Sequence, residues 1–292
     1  MGYGAESMWA PLRRVLLKRV EDAFTSAAVL ERDYARYGYL GCPDFDEACR
    51  QYDRFQEILA RHVAALDYLP ADGRVGLDSI YTHDIVKVTR AGAILLSPGK
   101  ILRRGEPEAA RPFFADGDIP IRGALNGTAR MEGGDVVWLD EGRLALGRGF
   151  RTNDEGIRQF RALTADVADD VIIVPLPYAD GPDACLHLMS VISVVDRDLA
   201  VVYARYLPVF FREWLLDRGF TLVDVPDNEY ETLGCNVLAL GPRQVLMLQG
   251  NPVTEAALRQ AGAEVMTYAG SEISYKGTGG PTCLTAPLWR AH

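Results

Sequence analysis

The feature that most constrains the fold of this chain is a repeated order of secondary-structure signals. Two short β-like runs are followed by an amphipathic helical pattern and then by another β-like run. This order recurs at least three times with a period of roughly 50 residues, although sequence identity between the units is low. A doubly wound sheet needs single strands alternating with helices, not hairpins. The repeat therefore predicts an α/β array or propeller.

The repeat is built from hairpins, helices and single strands in a fixed order. A first strand is predicted at 12–20, and Asp44 and Asn153 or Asp154 are helix-capping candidates. Hairpins are predicted at 84–98, 135–149, 187–203 and 236–248, turning in two cases at Ala91-Gly92 and Glu141-Gly142. Helices are predicted at 44–66, 153–168, 208–219 and 252–263, and single strands at 170–177, 221–226 and 264–270.

Length, composition and charge limit the classes of function. The chain has 292 residues, of which 48% are apolar, which is enough for one large domain or two small ones. The formal net charge is −9. Nucleic-acid binding needs clustered Lys and Arg, so no nucleic-acid partner is expected. An acidic protein is better suited to attract a small cation.

The cysteines and the apolar runs indicate the compartment. The first 20 residues lack the apolar region of a signal peptide, and no apolar stretch approaches the ~20 residues of a membrane helix. Five cysteines form no CxxC pair, which disfavours disulfides and a Cys-rich zinc site. We therefore expect a cytoplasmic protein with free thiols, no membrane partner and no cofactor.

Chemically useful residues precede successive hairpins. Asp78, His83 and Asp84 lie in "DSIYTHD", and Glu132 lies in "MEGGDVVWLD". His187 opens the next hairpin. "GCN" precedes the fourth hairpin, and Cys283 follows a glycine-rich run in "GTGGPTC". In a closed array these equivalent points converge on one axis, although each motif alone is equally a turn or a structural histidine.

A thiol, an imidazole and several carboxylates together favour one kind of chemistry. A thiol with a pKa of ~8.5 is mostly protonated at neutral pH and needs a positive neighbour. Carboxylates raise that pKa, so they make sense when the substrate is itself a cation. A planar guanidinium offers forked N–H donors to carboxylates. The inventory therefore favours a thiolate that attacks a guanidinium carbon and expels an amine, whereas a metal site lacks a ligand-spaced motif.

These residues resemble the guanidino-group-modifying (pentein) superfamily, and most closely its dimethylarginine dimethylaminohydrolases and arginine deiminases. The resemblance runs through nearly the whole chain. Its markers stand in order: "DSIYTHD", "LRRGEP", "EGGD", "GRGFRTN", "LHLMS", "GCNVLAL" and "GGPTCLT". The fold that it implies is a five-bladed α/β propeller of ββαβ units, with residues 1–292 as a single catalytic domain.

The resemblance implies catalytic roles for three residues. Cys283 resembles the nucleophile, and His187 resembles the general acid and base. Glu132 resembles the carboxylate that orients this histidine. A covalent S-alkylthiouronium intermediate and its hydrolysis to citrulline are implied with them.

The resemblance also implies a binding site for the substrate. Asp84 resembles the carboxylate that binds the guanidinium, and Asp78 the anchor of the α-amino group. Arg104 and Arg151 resemble the pair that binds the α-carboxylate. His83 stands where the methylarginine hydrolases usually carry Glu, so it bears on substrate selectivity, either as a neutral ring or as a cation that repels a bare guanidinium.

Departures from the family pattern select among its activities. Met189 stands where arginine deiminases carry a second guanidinium-binding Asp, which leaves room for N-alkyl groups. Hydrolysis of N-methylated arginine is therefore the first expectation and arginine deimination the second. Asp84 disfavours the arginine dihydrolases, which carry Asn there, and "EGGD" disfavours the amidinotransferases. A non-catalytic binding protein of the same fold stays open, as does a homodimer.

Overall fold

The computed structural model describes residues 2–182 and 184–291. The predicted domain 1–292 also includes Met1, Asp183 and His292, which lie outside the described residues, and its being one catalytic domain stays a prediction. Among the described residues, no helix combines the length and the apolar composition that a membrane span requires.

Short strands make up the centre of the molecule. In chain order they are β1 (Leu12–Leu17), β2 (Ala65–Tyr68), β3 (Val86–Thr89), β4 (Gly92–Leu95), β5 (Ile121–Ala124), β6 (Val136–Asp140), β7 (Arg143–Arg148), β8 (Asp170–Pro175), β9 (Ile192–Asp196), β10 (Leu199–Val202), β11 (Thr221–Asp224), β12 (Val237–Gly241), β13 (Gln244–Leu248), β14 (Glu264–Tyr268) and β15 (Ala286–Arg290).

Helices connect and cover the strands. They are α1 (Val20–Ala23), α2 (Ala27–Asp33), α3 (Phe45–His62), α4 (Glu106–Ala115), α5 (Asp154–Leu163), α6 (Val209–Asp217), α7 (Asp227–Tyr230) and α8 (Pro252–Gln260). The predicted caps are present at two of them. Asp44 accepts a hydrogen bond from the Glu47 N–H (2.8 Å) at α3, and Asn153 accepts one from the Gly156 N–H (2.8 Å) at α5.

The described strands form five three-stranded sheets of one design. In each sheet the middle strand pairs antiparallel with one neighbour and parallel with the other. A helix bridges each parallel pair, because parallel strands need a crossover connection. This ββαβ unit confirms the repeat that the sequence predicts.

The two ends of the chain close the ring. β15 pairs antiparallel with β1 in a register that places Leu12 opposite Arg290. The last strand therefore completes the unit that β1, α3 and β2 begin. This closure and the five sheets confirm the five-bladed α/β propeller. Helix α3 is the ordinary helix of that unit and not an inserted lid.

Burial explains why the sheets pack in a ring. The strand segments that precede each hairpin turn are almost wholly buried, as in β9 and β12. Neighbouring first strands contact one another across the axis, β9 with β12 and β15 with β3. Removing about 25 cal/mol per Å² of apolar surface from water stabilises this arrangement.

Several predicted boundaries are wrong, including the end of the helix predicted at 153–168, which ends at Leu163, and the start of the hairpin predicted at 84–98, which lies in the 3₁₀ turn Thr82–Ile85. Val20 begins helix α1 and does not end the first strand, and 65–66 belong to β2 and not to the preceding helix. The predicted hairpin 187–203 begins with a 3₁₀ turn at Leu188–Ser190. Apolar periodicity continues through these junctions, while backbone hydrogen bonds do not.

The topology gives the propeller two different ends. We call the end at which the first strands begin the site end, and the end at which the hairpins turn the turn end. The segments just before β3, β6, β9, β12 and β15 meet at the site end. They contain the residues that the sequence singled out.

Candidate active site

The glycine-rich run before Cys283 allows two close approaches. A Cβ on Gly279 would lie 2.4 Å from a ring carbon of Tyr81, and one on Gly280 would lie 2.4 Å from the amide group of Asn236. Real Cβ atoms do not approach neighbours so closely. The glycines therefore let the loop turn tightly against the preceding segments and place Cys283 at the site end.

The thiol of Cys283 lies in a mainly negative, half-buried setting. Asn236 Nδ2 donates to its Sγ at 3.4 Å. Burial raises the pKa of this thiol to about 11, with Asp84 and Cys185 acting in the same direction, while His187 and Asn236 lower it. Without a further cation the thiol is protonated at neutral pH.

His187 and Glu132 form a buried pair. His187 Nε2 lies 2.6 Å from Glu132 Oε2, and neither side chain is more than 5% exposed. Burial opposes the imidazolium, but the negative groups at Cys185 and Asp84 and the bond to Glu132 raise the pKa of His187 well above 6.5. Despite burial, His187 and Arg151 lower the pKa of Glu132 to about 2. The pair is therefore an imidazolium and a carboxylate, with Nδ1 beside the sulfur of Cys185.

The "EGGD" segment explains the position of the His187 ring. A Cβ on Gly134 would lie 2.5 Å from His187 Nδ1, so only glycine leaves space for the imidazole. Asp135 Oδ1 accepts the N–H of Leu188 at 2.8 Å, and its Oδ2 accepts the Thr152 hydroxyl at 2.6 Å. The second carboxylate of this motif thus holds the backbone that carries the histidine.

Asp84 is a buried carboxylate that already contacts one guanidinium. Its Oδ1 accepts the N–H of Gly134 at 3.0 Å, and its Oδ2 lies 2.5 Å from Arg103 Nη1. Burial opposes ionisation, but His187 and Arg103 hold the pKa of Asp84 far below its usual range. Asp84 therefore stays ionised, with unused lone pairs beside the thiol.

Arg103 is a site residue that the sequence reasoning missed. It is 4% exposed and also donates to Glu106 and to the Tyr81 carbonyl oxygen (2.8 Å), whereas Arg104, the predicted carboxylate-binding residue, is exposed. Adjacent residues of a 3₁₀ turn point in different directions. In the sequence, the three-residue spacing of Arg103 and Glu106 was the feature that could have predicted a buried ion pair.

The other two predicted binding residues lie at the site end with partners of their own. Arg151, 8% exposed, donates to Glu132 Oε2 at 2.9 Å. Asp78 Oδ2 lies 2.5 Å from the ammonium of Lys100, which also donates to a backbone carbonyl. A substrate amine at Asp78 must therefore compete with Lys100.

His83 is buried beneath the site and does not carry a charge. Its Nδ1 lies 2.9 Å from the Thr285 carbonyl oxygen, and its Nε2 lies 2.6 Å from Lys87 Nζ. Burial and the neighbouring Lys87 lower the pKa of His83 to about 3. Of the two alternatives for this ring, the neutral one holds.

Cys185 is a second thiol at the site, although the sequence offered only a core or incidental surface role for it. The five cysteines, all within the described residues, are free. Cys185 is exposed, but its Sγ is turned towards His187 Nδ1 at 3.8 Å. Enclosure of the sulfur opposes ionisation, yet His187 and Arg151 lower the pKa of this thiol. In the sequence, its place two residues before His187 was the only feature that could have indicated a position at the site.

Asp84, Glu132 and His187 bring ligand atoms within 4.8 Å of one another. Their oxygens and nitrogens are already shared with two guanidinium groups and with each other. This donor set suits planar cations, and a metal ion would have to displace Arg103 and Arg151.

The family comparison covers most of the chain. The family described as arginine deiminase matches residues 79–209 and 203–290. The chain is 30% identical over 241 residues to the uncharacterized protein YkgA of Bacillus subtilis, covering 82% of this chain and 79% of that one. It is 34% identical over 194 residues to the arginine deiminase of Mycobacterium bovis, covering 56% of this chain. It spans 47% of the length of that enzyme, about half.

Solved structures show the same fold. The dimethylarginine dimethylaminohydrolase of Pseudomonas aeruginosa, solved as a mutant with citrulline, superposes with a TM-score of 0.74 at 22% identity. The match covers 95% of this chain and all of that one. The chain therefore belongs to the arginine deiminase family and has the pentein fold.

Proposed function

We propose that this protein is a cysteine-dependent hydrolase of a guanidino compound. The observation that carries the proposal is the meeting, at the site end, of Cys283, the His187–Glu132 pair and Asp84. These groups come from four different units of the propeller. Packing of a hydrophobic core does not require a nucleophile, a charged acid–base pair and a guanidinium-binding carboxylate at one point, whereas catalysis does.

The reaction begins with the binding of a guanidinium at Asp84. The bound cation lowers the pKa of the nearby Cys283 thiol, which burial otherwise holds near 11. The substrate thus supplies the positive charge that the thiolate needs. This explains how a thiol surrounded by carboxylates becomes reactive only when the substrate is present.

The thiolate then attacks the guanidinium carbon. His187 protonates the departing amine through Nδ1, because Glu132 holds Nε2. The C–N bond breaks and an S-alkylthiouronium on Cys283 remains. His187 next removes a proton from water, the hydroxide adds to the same carbon, and the C–S bond breaks to give the ureido product.

N-methylated arginine is the first substrate class, with citrulline and an alkylamine as products. Met189 is 3% exposed and packs in an apolar cluster, so no carboxylate reaches the guanidinium from that position. The neutral ring of His83 adds no repulsion. Arg151 supplies a guanidinium near the site for a substrate carboxylate. By contrast, the guanidinium of Arg103 is already bound to Asp84, Glu106 and the Tyr81 carbonyl oxygen.

Arginine deimination is the second candidate function. The match to the arginine deiminase family and the identity to mycobacterial arginine deiminases favour it. It uses the same residues and releases ammonia in place of an alkylamine. A homodimer and a cytoplasmic location stay predictions.

Product analysis tests both functions. The purified protein is incubated separately with asymmetric dimethylarginine, monomethylarginine, arginine and agmatine, and the ureido product and the released amine are measured. Citrulline with dimethylamine supports the first function, and ammonia from arginine alone supports the second. Loss of turnover by about 10³-fold or more is expected for Cys283→Ser, and no loss for the exposed Cys42→Ser. Full activity of Cys283→Ser would refute the mechanism.

A further inference from the structure

A lysine lies beneath the active site, where the proposed mechanism does not use it. Lys87 is half-buried in β3, three residues after Asp84, and its Nζ lies 2.6 Å from His83 Nε2. Its Cε packs under the "EGGD" segment, 3.1 Å from the position of a Cβ on Gly133. A lysine side chain normally keeps its ammonium in water, so this placement needs a reason.

His83 connects this lysine to the loop of the nucleophile. The backbone N–H of His83 donates to the Cys283 carbonyl oxygen at 3.2 Å, and its Nδ1 lies 2.9 Å from the Thr285 carbonyl oxygen. A carbonyl oxygen only accepts, so Nδ1 carries the proton. Nε2 is then an acceptor, and the ammonium of Lys87 is its donor. His83 therefore holds the backbone on both sides of Leu284 while Lys87 holds His83.

The charged groups around Lys87 come from several elements. Burial lowers the pKa of Lys87 to about 7, the negative groups at Asp84, Cys283 and Asp135 raise it, and Arg290 lowers it further. The groups that face it are His83 and Asp84 from its own segment, Asp135 before β6, Cys283 before β15, and Arg290 within β15. The attraction between Lys87 and Cys283 is reciprocal, so a positive Lys87 favours the thiolate.

We infer that Lys87 is a positioning residue which acts on Cys283 in two ways, by holding the His83 brace of the nucleophile loop and by placing a positive charge behind the thiolate. The inference rests on the proposed function only in assigning the nucleophile to Cys283. Asp84 raises the pKa of both Lys87 and the Cys283 thiol and is needed for the substrate, so the cation of Lys87 offsets part of its effect on the thiol.

The test measures the thiol directly and needs no substrate. Wild-type protein, Lys87→Met and Lys87→Arg are treated with iodoacetamide across a range of pH, and alkylation of the Cys283 peptide is followed by mass spectrometry. Because Lys87 has a pKa of about 7, it is charged at and below neutral pH. We therefore expect Lys87→Met to slow alkylation about fivefold near pH 7 and to approach the wild-type rate at higher pH, where Lys87 is neutral in the wild type as well. Lys87→Arg keeps the charge and recovers most of the rate.

Lys18→Met is the matched control for loss of a buried lysine. Lys18 is 2% exposed, and its ammonium donates to the Pro70 carbonyl oxygen at 2.6 Å. This control should leave the alkylation profile of Cys283 unchanged. Equal shifts in Lys18→Met and Lys87→Met would overturn the inference, and so would an unshifted Lys87→Met.

Lys87→Gln guards against a variant that does not fold. It retains an N–H donor without the charge, so we expect an alkylation profile between those of wild type and Lys87→Met. A profile identical to wild type would remove the electrostatic part of the inference. The outcome also separates the two proposals. A shifted alkylation profile in a protein that turns over no guanidino compound would refute the proposed function and leave the role of Lys87 standing.

Discussion

The two ends of the propeller use the same charged residue types in opposite ways. At the turn end, the Arg122–Asp166 pair (3.0 Å) has side chains that are 38% and 53% exposed. At the site end, the Arg103–Asp84 pair (2.5 Å) has side chains that are 4% and 5% exposed. Exposed pairs contribute little because water screens them, whereas buried charges depend strongly on their partners. Burial, not the number of ion pairs, distinguishes the site end from the turn end.

A cavity lies away from the site end. A cavity of about 510 Å³ lies at the turn end, lined by Tyr3, Arg90 and Trp289 among others. At the site end, Asp84 is paired with Arg103 and Asp78 with Lys100, so a substrate bound as proposed would share Asp84 with Arg103 and displace Lys100 from Asp78.

Replacing Glu132 should produce the largest contrast between the ends. Glu132→Gln removes the charge that faces both His187 and Arg151, and we expect turnover to fall about 10²-fold or more. The free energy of unfolding should fall by about 3–5 kcal/mol, because Arg151 is left buried without its carboxylate. Steady-state kinetics and urea denaturation at neutral pH measure the two effects.

The pH dependence of that stability has a definite sign. The pKa of Glu132 is lowered in the folded protein from 4.5 to about 2. Its contribution is therefore complete above about pH 4.5 and is lost as the pH falls towards 2. The difference in unfolding free energy between wild type and Glu132→Gln should shrink over this range. A constant difference would show that the carboxylate charge is not its source.

Two neighbouring arginines give a matched pair for the next effect. Arg103→Met removes the guanidinium that contacts Asp84, and we expect kcat/KM to fall by about 10²-fold. Arg104→Met changes an exposed side chain and should leave kcat/KM within about twofold. Equal losses in the two variants would contradict the assignment of Arg103 to the site.

A smaller effect is expected at the second thiol. Cys185→Ala removes a negative neighbour that raises the pKa of His187. The alkaline limb of the pH–rate profile should therefore move to lower pH, with turnover changing only a few-fold at neutral pH. Cys235→Ala, in a buried site within an apolar cluster, should leave this limb in place. An unmoved limb in Cys185→Ala would show that this thiol does not act on His187.

The smallest effect should come from the turn end. Arg122→Gln removes an exposed ion pair, and we expect the melting temperature to change by about 2 °C or less, with unchanged turnover. Differential scanning calorimetry measures this. A large loss of stability would contradict the expected difference between the exposed ion pairs of the turn end and the buried ion pairs of the site end.

The sequence predicted the repeat and the convergence of its polar residues for a clear reason. Hairpin turns, helix periods and capping residues are local signals, so Asn153 and the Glu141-Gly142 turn could be assigned without tertiary contacts. Several strand and helix boundaries were wrong where apolar periodicity ran across a junction, and strands β2 and β5 were not predicted. Local order was thus predictable to within a few residues in the three units that contain α5, α6 and α8.

The sequence could not assign side chains that differ only in direction or surroundings. Arg103 and Arg104 are chemically identical neighbours, and the packing of the 3₁₀ turn before α4 decides which one is buried. Cys185 looked incidental until the loop turned its sulfur towards His187.

By itself, the amino-acid sequence determined the ββαβ order, the glycines that permit tight loops, and the presence of Cys283, His187, Glu132 and Asp84 before successive first strands. Only the tertiary structure decided the charges. It favours a neutral His83, a positive His187 and an ionised Asp84, because burial and groups from other units act on each of them. Ionisation depends on distances across the closed ring, and those distances exist only once β15 has paired with β1.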